Sequence, residues 1–140
     1  MQDNQTVSKP LGEAISNYTR TQAINDGLLI DVSDTARKAG FCWPVAMTSR
    51  AWADCVAWTA ADNHRKTWQD ENCRLWEVLV MAYKAIQCSP DKPQIKYNLE
   101  RIPRFSRNSV ARLTTLKVVS ESSDDGKSVV TIMLPQEDSL

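Results

Sequence analysis

The chain has 140 residues, of which 42% are hydrophobic and 24% charged, and its formal net charge is zero. That length suits one domain with a core that needs no staples, and the neutral balance excludes a chain that grips nucleic acid or membrane by overall charge. No apolar run reaches the roughly 18 residues of a membrane span, and Met1 to Pro10 is too polar for a signal peptide, so a cytoplasmic protein is expected.

Residues 1–12 read as a loose polar leader, residues 13–135 as a single α+β domain and residues 136–140 as an acidic tail. Thr19 with Gln22 forms a capping-box pattern and Gly27 a stop, which predicts a short helix between them. Leu28, Leu29, Ile30 and Val32 read as a short buried strand. Ser33 is placed to cap a second helix that Gly40 ends. Phe41 to Val45 should be extended, because Pro44 disfavours helix at Trp43. Thr48 caps a predicted helix to about Ala61, with Trp52, Cys55, Val56 and Thr59 on one face. Asp62 to Arg65 reads as a polar connection.

The strongest element is a helix from Thr67 to Cys88, with Asp70 and Glu71 in the first turn where the helix dipole favours acids. Trp68, Leu75, Leu79, Ala82 and Ile86 follow a 3.6-residue period, with Trp76 and Tyr83 at the edge of the stripe. Val78, Val80 and Met81 fall outside it, which predicts a helix buried on several sides. The period then changes to alternation at Ile95, Tyr97 and Leu99, a half-buried strand ended by Pro103. Leu113 to Val119 and Val129 to Leu134 read as two further strands joined by an Asp125–Gly126 turn. The fold class is therefore α+β: short N-terminal helices and a long central helix packed on a C-terminal three-stranded antiparallel meander.

Chemistry-bearing patterns are sparse. Cys42, Cys55, Cys73 and Cys88 form no C-x-x-C pair, and His64 is the only histidine. Zinc is not expected at such spacing, nor is any other cofactor, and reduced thiols are. Four glycines cannot build a Gly-rich phosphate cradle. Trp52, Trp68 and Trp76 suit a core. Asp54 and Trp58 share a different helix face, where Trp58 either anchors a partner or is covered by another element. Between Lys92 and Lys117 stand seven basic residues and one acid, Glu100. Within that strip Arg101, Arg104, Phe105 and Arg107 are the candidate contact residues: arginine forks suit carboxylate or phosphate, and Phe105 can stack or fill a pocket. The bland alternative is a solvated hairpin loop.

The runs Tyr18 to Val32, Trp52 to Trp58, Gln69 to Trp76 and Asp124 to Pro135 resemble an uncharacterised family of short proteins found on plasmids and other mobile elements. The resemblance covers about Ile15 to Asp138 and carries over no catalytic residue. Mobile elements often encode small inhibitors of host defence, of antirestriction and anti-CRISPR type. The resemblance thus implies a non-enzymatic binding protein whose partner is a bacterial protein or ribonucleoprotein complex. A nucleic-acid binder using the strip 92–117 is the alternative. A small enzyme with a site around Asp54, Trp58, Asp62 and His64 is a third. Oligomeric state is open.

Overall fold

The computed structural model describes residues 19–104, 110–122 and 126–137. The expected leader lies outside them. In chain order the elements are α1 (Arg20–Asn25), β1 (Leu29–Asp31), α2 (Ser33–Ala39), β2 (Val45–Thr48), α3 (Ser49–Cys55), α4 (Ala60–Arg65), α5 (Glu71–Cys88), β3 (Gln94–Arg101), β4 (Arg112–Ser122) and β5 (Ser128–Met133). The class is α+β, as read from the sequence.

The sheet is larger than the expected meander. It has five strands in the order β1-β2-β5-β4-β3. β3, β4 and β5 form the antiparallel meander, while β2 joins β5 in parallel, with Val45 opposite Val130 and Met47 opposite Ile132. β1 pairs antiparallel to β2. All four residues of β2 are buried, so it lacks the alternation that marks a half-buried strand.

One face of the sheet carries the main core. Val45, Met47, Leu116, Val118, Val130 and Ile132 pack there against Ala51, Cys55, Leu75, Val78, Leu79 and Ala82. On the other face α1 covers β1 and β2 through Ala23, Leu29 and Ala46. Arg20 ties this helix to β5, donating to Thr131 Oγ1 and to the Val130 carbonyl, each at 2.7 Å. The predicted capping box of Thr19 and Gln22 is present.

Several local expectations are corrected. Ser33 does not cap α2, whose N-cap is Val32. Its hydroxyl donates to Asp31 Oδ1 at 2.6 Å and accepts from the Val45 N–H at 3.0 Å, stitching β1 to β2. The helix begun at Thr48 stops at Cys55, and Thr59 caps a separate α4 where a connection was expected. The long helix begins at Glu71 rather than Thr67, because the Asp70 side chain caps it by accepting from Asn72 N–H. Trp68 therefore precedes the helix and is 79% exposed, and Trp76 is 42% exposed; neither joins the core. Trp52 packs at the core's edge. Val78, outside the predicted stripe, is fully buried.

Glu137, expected in a frayed tail, is held: its carboxylate accepts from Thr48 Oγ1 and Leu134 N–H, and its carbonyl accepts from Lys117 Nζ. Residues 138–140 lie outside the described part. No helix among the described residues is long and apolar enough to cross a membrane.

Candidate functional site

The segment between α3 and α5 folds back on itself through polar side chains. Asp62 stands at the third position of α4, so its carboxylate returns to the cap and accepts from Thr59 N–H at 2.9 Å and Thr59 Oγ1 at 3.0 Å. The same oxygen accepts from Arg104 Nε at 2.7 Å. Asn63 Oδ1 accepts from Trp58 Nε1 at 2.8 Å and from the Gln69 N–H at 2.7 Å. Glu71 Oε2 accepts from the Trp58 N–H at 3.1 Å.

Behind this layer lies a buried arginine. Arg74 is 2% exposed; its Nε donates to the Val56 carbonyl at 3.0 Å, and its Nη1 to Gln69 Oε1 at 3.0 Å and the Ile102 carbonyl at 3.3 Å. Its guanidinium carbon sits 4.7 Å from the Trp58 ring centroid, a cation–π contact. Burial, reinforced by the like charge of Arg101, draws the Arg74 pKa down to about 10. Arg101 is 4% exposed and donates to Glu77 Oε1 at 2.7 Å. Arg74 Nη2 and Arg101 Nε are buried without a hydrogen-bond acceptor among the described residues.

Of the two readings of Trp58, these contacts fit cover by other parts of the chain, and they correct the reading of Arg101 as an exposed contact residue. Trp58 is enclosed by its own chain because both its N–H groups find acceptors on neighbouring segments. Arg101 belongs to the helix-facing side of β3, where Tyr97 and Leu99 are also buried. Arg104 is half-buried, with its side chain 26% exposed and turned onto Asp62. Phe105 and Arg107 lie outside the described residues. Asp54 is exposed on α3 and stands apart from the network; partial burial, with Glu137 nearby, raises its carboxyl pKa. Thus Trp58, Arg101 and Arg104 meet in one region with Asp62 and Arg74, and Asp54 and the exposed His64 do not complete a reactive set with them.

Other side chains stand out only in the structure. Trp43 is 48% exposed, and with Trp68 and Trp76 it gives the chain three tryptophans open to solvent. Trp68 lies three residues before α5, and Trp76 is the sixth residue of that helix. The Gln69 N–H donates to Asn63 Oδ1 and the Gln69 side chain accepts from Arg74 Nη1, so the residue next to Trp68 is anchored through both backbone and side chain. A shallow pocket of about 250 Å³ lies elsewhere, between Ile30 to Thr35, Trp52 and Leu75. Of its polar lining residues, Asp31 and Ser33 are engaged in joining β1 to β2, and Asp34 pairs with Arg37. Among the described residues no group of His, Cys, Asp and Glu could hold a metal ion.

Sequence signals for two of these features exist. Arg74 falls four and eight residues before Val78 and Ala82, on the buried stripe, so an arginine there had to be enclosed. The Asp70 cap, weighed above periodicity, would have left Trp68 outside the helix.

No curated protein and no solved structure matches the chain. A family model matches residues 10–138, nearly the whole sequence, and the chain belongs to that family of unknown function, DUF6573.

Proposed function

We propose that this chain is a non-enzymatic binding protein that docks on a bacterial protein or ribonucleoprotein complex through Trp68, just ahead of α5, and Trp76, in its first turns. The observation that carries the reading is the exposure of Trp68, 79%, on backbone that is itself hydrogen-bonded. Tryptophan is enriched among the residues that dominate interface energies, and its large apolar face gains most when a partner covers it. A rigid support lowers the ordering cost of binding. Arg104, paired with Asp62, then belongs to the polar surroundings rather than to the centre of the contact, and Asp54 lies apart from it.

The narrower reading, an inhibitor of a bacterial defence complex, rests on the mobile-element setting of the resembling family. Binding to nucleic acid through residues 92–117 is the weaker alternative. Two of the seven cations, Arg101 and Lys117, are buried, and Arg104 is paired with Asp62.

The test compares wild type with Trp68→Ala and Trp76→Ala, alone and together, in capture from bacterial lysate followed by titration of the purified partner. Each substitution should leave the melting curve nearly unchanged and weaken binding at least about tenfold, as expected of an interface anchor. Undiminished affinity in the double variant would overturn the proposal. Affinity for bare DNA or RNA that falls steeply with salt would favour the alternative.

A further inference from the structure

The sheet terminates on β3, eight residues paired one-for-one with β4 and free of bulges. The Pro93 carbonyl accepts from Ser120 N–H at 2.8 Å, in the same register that pairs Ile95 with Val118 and Tyr97 with Leu116. Hydrogen-bonded residues alternate along an antiparallel strand. The odd-numbered residues of β3 therefore turn their backbone groups to β4, and those of Gln94, Lys96, Asn98 and Glu100 point out of the sheet. No described residue bonds them, and all four residues are exposed. Such an edge is a template for another strand.

The charges along it define which strand fits. Lys96 and Glu100 flank Asn98 symmetrically, and neither has an ion-pair partner among the described residues. A second copy of β3, laid antiparallel, bonds only where outward residues face outward residues. Centred on Asn98, that pairing sets Lys96 opposite the second copy's Glu100 and Glu100 opposite its Lys96. Centred on Tyr97 it also bonds, but Lys96 then faces Asn98, so charge selects Asn98.

We propose that two copies of this chain associate by antiparallel pairing of their β3 edges about Asn98, with Lys96–Glu100 pairs across the seam, to form one continuous sheet. The competing idea is that these charges guard the edge against pairing. Sedimentation of the full chain, from micromolar to millimolar concentration, separates the two. Wild type should pass reversibly from monomer to dimer, and more weakly at high salt. Lys96→Glu and Glu100→Lys should each weaken the dimer about tenfold or more, since two opposite-charge pairs become two like-charge pairs. The two reversals combined should restore it to within a few-fold. Asn98→Pro should abolish the dimer while the monomer keeps its circular dichroism, because the lost N–H faces outward. A wild type that stays monomeric, or a double reversal that fails to restore association lost in the singles, would overturn the proposal.

Discussion

Replacing Asp62 by alanine probes whether the polar network around Trp58 holds the fold together. Asp62 is 2% exposed, and its carboxylate accepts two bonds from Thr59 and one from Arg104. Its loss breaks one side of the capping box, worth about 1 kcal/mol, and takes an acceptor from Arg104. Removing one partner of a fully buried ion pair costs about 3–5 kcal/mol, but Arg104 is 26% exposed and regains some water. Together these place the loss near 3 kcal/mol, a large part of a typical stability of about 5–15 kcal/mol. Urea denaturation followed by tryptophan fluorescence gives the value. Asp62→Asn, which keeps an acceptor oxygen, should lose roughly half as much. A double-mutant cycle with Arg104→Ala should show coupling above about 1 kcal/mol. A loss under about 1 kcal/mol for Asp62→Ala, or no coupling, would mean that the network is hydrated surface and that the support attributed to Trp68 is absent.

Gly40→Ala should destabilise the protein by about 2 kcal/mol or more in the same assay. The residue has φ 119°, and an added Cβ would lie 2.8 Å from the Tyr83 ring that packs edge-on against Phe41. A change below about 0.5 kcal/mol would mean that α2 and α5 are not in that contact. Thiol reactivity at pH 8 should resolve the cysteines. Cys55, whose pKa burial pushes up to about 11, should stay silent until the protein unfolds. Cys73, raised chiefly by the Asp70 carboxylate, should lag behind the exposed Cys42 and Cys88. Fast labelling of native Cys55 would contradict the packing of α3.

What the sequence could convey was mostly local. Thr19 with Gln22, the stripe on α5 and the alternation at Ile95, Tyr97 and Leu99 each announce themselves within a few residues, and each appears in the structure. β2 did not, because its partner β5 lies some 80 residues on and its four buried residues mimic either a strand or a helix segment. Trp58 shows the same limit. Its neighbours on α3 gave no sign that Asn63 and Glu71 would supply acceptors for both its N–H groups, and only that bonding lets the ring be enclosed. For Trp68 the mismatch is one of phase: continuing the period upstream of Asp70 assigns it a helical direction, whereas the helix starts only at Glu71.

The parallel docking of β2 on β5 has a bearing on how the chain is made. β5 is the last strand of the sheet to be synthesised, yet it stands between β2 and β4. Until Ser128–Met133 has left the ribosome, β1 and β2 have only each other, and a lone two-stranded ribbon is marginal in water. The first third of the protein must therefore wait, with one edge of Val45–Thr48 unpaired, while α5 and the β3–β4 hairpin form downstream. Closure of the sheet is a late event of long sequence separation, the kind that folds slowly. A nascent chain stalled before Ser128 should bind general chaperones and be cut readily near β2, and release of the remaining residues should end both at once.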